Sequence, residues 1–150
     1  NECRCNQDRI DRYLGRISGP LLDRLDLVIE VPALSHAELL AAPSATDPQS
    51  PELLRGRVSD CRELQQDRSA ALNSELRGEE LERTCRLSPK LNQWLADTLE
   101  RLSLSARAAH RILRVARTIA DLEGSEEIRE RHLLEAVGYR RCRILRSLFR

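Results

Sequence analysis

Twice in this chain a Ser-Pro step stands directly ahead of a run with helical spacing: Ser50-Pro51 before the charged stretch up to Leu76, and Ser88-Pro89 before the stretch up to Leu102. A serine at the N-cap accepts a hydrogen bond from a first-turn amide, and a proline in that turn sacrifices no helical donor, so both steps commit the residues behind them to helix. Behind the second step Leu91, Leu95, Leu99 and Leu102 fall on one face with Trp94 close by. From Ser105 to Glu123 a further helix is predicted, with Ile112, Val115, Ile119 and Leu122 on a stripe and Gly124 just past its end. Another should run from Glu130 to Tyr139, carrying Leu133, Leu134 and Val137. The first capped helix differs: it has only a thin apolar seam at Leu54, Val58 and Cys61, and Gly78 is read as its stop. With 33% charged and 3% aromatic residues the composition favours a solvated helical fold over a β-sandwich, and 41% hydrophobic residues suffice for one modest core.

The N-terminal region reads differently. Ile10, Tyr13, Leu14 and Ile17 have helical spacing, Gly19-Pro20 ends that helix, and the β-rich run Leu25 to Val31, closed by Pro32, reads as one strand. A lone strand needs neighbours, so this one is expected to be poorly satisfied or re-paired. From Ala33 to Ser50 the chain is rich in Ala, Ser and Pro and reads as a linker. The tail from Arg140 to Arg150 either frays or extends the last helix through Ile144, Leu145, Leu148 and Phe149. The 25 basic and 24 acidic residues give a net charge of +1, which argues against a nucleic-acid binder that uses its whole surface but leaves room for a local basic stripe. No apolar run of about 18 residues exists and no signal peptide is visible, so no membrane partner and a cytoplasmic location are expected. Starting at Asn1 and lacking Met, the chain is expected to be a fragment.

Five cysteines, Cys3, Cys5, Cys61, Cys85 and Cys142, are an odd and scattered set, which speaks against a disulfide framework. Cys3 and Cys5 form a C-x-C pair, half of a structural zinc site; the other reading is two exposed thiols at a chain end. Cys61 and Cys85 are expected as small buried or half-buried residues. His36, His110 and His132 have no metal-ligand spacing and no Ser-His-Asp logic, and are read as ordinary residues.

Two segments carry a family resemblance. Ile17-Ser18-Gly19-Pro20-Leu21-Leu22-Asp23-Arg24-Leu25-Asp26-Leu27 resembles the arginine-finger segment of ring-forming AAA+ ATPases. Leu104-Ser105-Ala106-Arg107-Ala108-Ala109-His110-Arg111-Ile112-Leu113-Arg114-Val115-Ala116-Arg117-Thr118-Ile119-Ala120-Asp121-Leu122-Glu123-Gly124 resembles the sensor-2 helix of the magnesium-chelatase-like ATPases of the ComM competence type, the YifB family. The resemblance implies a mainly α chain: residues 1–32 as the end of an AAA+ core with its last helix and strand, 33–50 as linker, and 51–150 as the C-terminal helical lid. It implies a parent protein that is a ring-forming, hexameric, ATP-driven motor acting on DNA, with branch migration in natural transformation as its task. In that parent ATP and Mg²⁺ are the cofactors, DNA is contacted upstream, and Cys3 and Cys5 join a second cysteine pair, also upstream, around Zn²⁺. The runner-up is the ATPase subunit of a true magnesium chelatase; a third reading is a non-catalytic helical interaction module.

By the same resemblance Arg24 is the finger presented to a neighbouring subunit, and Arg107 meets the γ-phosphate of nucleotide bound by its own or a neighbouring subunit. Both roles suit phosphoryl transfer, in which the protein mainly positions charge against phosphate oxygens. The competing reading of Arg24 is a surface residue paired with Asp23 or Asp26. Arg107 stands in a helix's first turn, where the macrodipole favours acids, so a phosphate partner would explain its placement. Arg111, Arg114 and Arg117 are expected as a solvated face opposite Ile112. The chain has no G-x-x-x-x-G-K-[ST] loop and no hydrophobic run ending in acidic metal ligands, so alone it is expected neither to bind ATP tightly nor to hydrolyse it.

Overall fold

The computed structural model describes residues 5–16, 24–36 and 50–140. These form six helices: α1 Gln7–Leu14, α2 Pro51–Ser69, α3 Gly78–Thr84, α4 Pro89–Arg101, α5 Ala106–Leu122 and α6 Glu130–Gly138. The chain is mainly helical, as its sequence predicts. Both predicted caps, Ser50 and Ser88, are in place, and Ser105 adds a third. Ser50 Oγ accepts from the Leu53 amide at 3.4 Å, Ser88 Oγ from Leu91 at 3.4 Å and Ser105 Oγ from Ala108 at 3.2 Å, each satisfying one of the orphan donors of a helix start.

The core lies around α5, which packs against α6, α2 and α3. Its buried line is Ala108, Ile112, Ala116 and Ala120, one residue per turn. Three alanines in that line let neighbouring backbones approach closely, and Leu133, Ala136 and Val137 of α6 share the same core. The predicted stripe of Ile112, Val115, Ile119 and Leu122 is thus rotated: Ile112 is buried, Val115 and Ile119 are half-buried, and Leu122 is exposed. Leu76, Leu81, Cys85, Leu87 and Leu95, from the α2–α3 turn, α3 with the residues that follow it, and the middle of α4, complete the core together with Ile128 ahead of α6.

Three expectations are corrected. The first capped helix stops at Ser69, because Ala70 takes a left-handed conformation (φ 51°) and its amide returns to Gln66 O. That turn sends Asn73 and Leu76 inward, and both are almost fully buried. Gly78, also at positive φ, opens α3 rather than closing α2. The seam of α2 is buried only at Cys61; Leu54 and Val58 are 43% and 52% exposed, since residues 51–60 reach beyond the body of the core.

Residues 25–31 do not form a strand; no strand occurs among the described residues. Leu25, Leu27, Ile29 and Val31 are exposed, and the amide of Val28 donates to Tyr139 O at 3.0 Å instead of to a ladder partner. A β-rich sequence fits a pleated surface only if that surface is present. The predicted N-terminal helix is α1, which closes at Leu14. The Gly19-Pro20 break, most of the predicted linker and the tail after Arg140 lie outside the described residues. Among these, no helix is long and apolar enough to cross a membrane.

Candidate functional site

Residues 24–28 are held against the helical body from two sides. Arg111, on α5, donates through Nη1 to Asp26 Oδ1 at 2.7 Å and to the carbonyl of Arg24 at 2.8 Å. Arg140, just after α6, donates to Leu25 O at 2.8 Å. With the Val28 amide on Tyr139 O, the backbone of the Arg24 segment is fixed at three points.

Arg107 lies in the first turn of α5 and is exposed, one helical turn before Arg111. It extends from a helix start whose amides are only partly used by the Ser105 cap. A cation beside such an N-terminus offers charge and N–H donors suited to a phosphate oxygen. The two predicted arginines are therefore referred to the same helix: Arg107 stands on it, and the backbone of Arg24 is tied to it.

The predicted solvated face of Arg111, Arg114 and Arg117 is overturned. Arg111 makes the tether just described. Arg114 Nε donates to Leu76 O at 3.0 Å, and Thr118 Oγ1 to the carbonyl of Arg114 at 2.9 Å. Arg117 is buried. Its Nη1 donates to Glu126 O at 2.7 Å, its Nη2 to Ser125 O, and its Nε to Asp121 Oδ1 at 3.0 Å. These guanidinium groups satisfy carbonyls at chain turns, a use that helix periodicity alone cannot reveal.

Asp121 is the centre of that arrangement. It also receives Arg68 through two bonds, at 2.6 and 3.0 Å, and Asn73 Nδ2 at 2.7 Å. Asn73 is fixed in turn by its amide on Gln65 Oε1 at 2.9 Å and by its Nδ2 on Thr118 Oγ1 at 3.0 Å. The hydrogen bond to Asp121 raises the Arg68 guanidinium above its ordinary pKa against the opposing effect of burial. The nearby Cys85 thiol is pushed up to about 11 by burial, with the charges of Arg117 and Arg68 opposing. No buried side-chain polar atom among the described residues lacks a partner. Asp121 four residues after Arg117 was the one local signal of this cluster in the sequence.

His36 and His110 are exposed, whereas His132 is fully buried. Its Nδ1 accepts from the Arg129 amide at 3.0 Å, capping α6, so the ring proton sits on Nε2 and is donated to Glu123 Oε2 at 3.0 Å. Hydrogen bonds from His132 and then Arg131 lower the Glu123 carboxyl. Cys5 is exposed and Cys3 lies outside the described residues; Cys61 and Cys85 are buried as expected. No group of three or more His, Cys, Asp or Glu with metal-binding geometry occurs among the described residues.

Residues 49–140 match the family model for the C-terminal region of magnesium chelatase subunit ChlI, and residues 1–39 match the model for magnesium chelatase subunit ChlI itself. The chain is 44% identical over 146 residues to a protein of Haemophilus influenzae named competence protein ComM, covering 97% of this chain and 28% of that one. It is 44% identical over 140 residues to YifB of Salmonella typhimurium and 42% over 140 residues to YifB of Escherichia coli, covering 93% of this chain and 27% of each relative. It thus spans little more than a quarter of the length of these proteins. On the strength of both family matches and of identity running through nearly the whole chain, it belongs to the magnesium chelatase ChlI family, among its ComM- and YifB-like members.

Proposed function

We propose that this chain is the finger-and-lid part of a ring-forming, ATP-driven motor that acts on DNA, with branch migration during natural transformation as its task. In that reading Arg24 is offered to the nucleotide of a neighbouring subunit, and Arg107 contacts the γ-phosphate. ATP with Mg²⁺, held by the rest of the protein, supplies the phosphoryl group; what these residues contribute is positioned positive charge. Arg107 fits such a partner, because it adds a cation to an exposed helix start. Cys3 and Cys5 would contribute two thiolates to a zinc site whose other ligands lie upstream.

The observation that carries the reading is the tether between the Arg24 segment and α5. A finger must be presented at a fixed height from a rigid base to reach another subunit's phosphate, and residues 24–28 have that base although they form no strand. One relative is named a competence protein, and competence is the setting in which a motor acting on DNA would serve. The family matches also favour a second reading, the ATPase subunit of a magnesium chelatase.

The test is ATP turnover of the intact protein while wild-type subunits are doped with increasing fractions of Arg24→Ala, with and without branched DNA. A steep loss at low doping together with stimulation by DNA is expected. A loss that merely tracks the doped fraction, or none, refutes the finger role. Turnover that depends on a porphyrin-chelating partner and ignores DNA transfers the protein to the second reading.

A further inference from the structure

We infer that Arg111 is a positioning residue that couples the lid to the arginine finger, so that the helix carrying Arg107 also sets the angle at which the finger meets a neighbouring subunit's nucleotide. This rests on the proposed roles of Arg24 and Arg107 and deepens them.

A single nitrogen, Arg111 Nη1, bridges the Asp26 carboxylate and the carbonyl of Arg24, residues 85 and 87 positions away in the chain. An incidental surface ion pair needs only the carboxylate. The second bond fixes the peptide from which the finger side chain springs, so any displacement of Arg111 is passed to the base of Arg24. Arg111 lies one turn after Arg107 on a continuous helix, and the two move as a rigid body. Seating Arg107 against a phosphate therefore moves Arg111. The contacts from Arg140 and Tyr139 to Leu25 and Val28 keep the rest of the segment with the same body. Side-chain exposures of 23% for Arg111 and 54% for Asp26 leave the pair open enough to be substituted without breaching the core.

The experiment uses the intact protein and the variants Arg24→Ala, Arg111→Ala, Asp26→Asn and Arg111→Lys. Because small misplacements at a phosphoryl-transfer site are costly, Arg111→Ala should lower kcat about tenfold or more while KM for ATP stays within about twofold. Its doping curve should be as steep as that of Arg24→Ala. Asp26→Asn, which spares α5 altogether, should show a smaller loss of the same kind, and Arg111→Lys, which keeps an N–H donor for the Arg24 carbonyl, should retain more activity than Arg111→Ala. Wild-type kcat in Arg111→Ala beside an inactive Arg24→Ala overturns the coupling and leaves the finger reading standing. So does a rise in KM at unchanged kcat, which would make Arg111 a nucleotide contact. Full activity in Arg24→Ala removes the reading on which the coupling rests.

Discussion

Replacing Asp121 by Ala tests what the buried charge cluster contributes. The Asp121 side chain has no solvent exposure and faces two guanidinium groups of unequal freedom: Arg68, 28% exposed, can turn to water, whereas Arg117, 3% exposed, cannot. Removing the carboxylate strands Arg117 as an uncompensated buried cation, with only the carbonyls of Ser125 and Glu126 left to it. Breaking a buried pair in this way costs about 3–5 kcal/mol. For a helical unit of about 90 residues each kcal/mol moves Tm by about 4–8 °C, so the lower figure already predicts a fall of about 12–24 °C. The assay is thermal unfolding of the 150-residue chain monitored by helical circular dichroism. Replacing Asp121 and Arg117 together by Leu and Met should recover much of the loss, because the stranded charge is gone and apolar groups of similar size can be nearly neutral in place of a buried pair. A fall of less than about 4 °C in the single variant, or a double variant no more stable than it, would refute the idea that the stranded cation sets the cost.

Other substitutions separate local from tertiary effects. Gly124 sits at φ 67° after α5 with nothing near its missing Cβ, so Gly124→Ala should cost about 1–2 kcal/mol through backbone conformation alone, read as a lower urea midpoint. Gly56, in the exposed part of α2 with equally open space, should do the reverse: Gly56→Ala stabilises that helix by about 0.5–1 kcal/mol, seen as slower amide exchange there. With its thiol pushed up to about 11, Cys85 should escape alkylation at about pH 8 until the chain unfolds, whereas exposed Cys5 reacts at once; mass spectrometry of time points distinguishes them. Glu123 has a lowered carboxyl pKa, so the stability it contributes is present above the ordinary value of 4.5 and is lost as pH falls through its folded-state value. Urea titrations across that acid range should therefore flatten in Glu123→Gln.

How far the fold was legible depended on whether each signal was local. The two Ser-Pro caps and the ends of α5 arise from hydrogen bonds within one turn, and sequence spacing locates them. α3 was missed because its Gly-Glu-Glu-Leu-Glu-Arg-Thr sequence buries only Leu81, too little for a periodic pattern, and because a glycine at a helix start resembles one at a helix end. The strand at 25–31 was misread since its residues have the right propensity but the described chain provides no ladder. Arg107 had a chemical signal in its first-turn placement against the macrodipole, but Arg24 was singled out by resemblance alone: what distinguishes it is that Arg111 holds its carbonyl, a contact across most of the chain. Arg114 and Arg117 looked like solvent residues because their partners are carbonyls at turns, and no side-chain pattern encodes a turn's open carbonyl.

The outward half of α2 has a mechanical consequence. Among the described residues the helix is gripped only in its C-terminal half, by Cys61 and Gln65 in the core and Arg68 on Asp121, while residues 51–60 are exposed. At 1.5 Å per residue the free half is an arm of about 15 Å, and a tilt of about 10° at the grip would sweep Pro51 through roughly 2.5 Å. The grip is the same charge cluster that holds α5, so any rotation of α5 would be magnified at the far tip of α2. Rearrangements too small to break a single hydrogen bond in the core would there become displacements of nearly an atom's diameter.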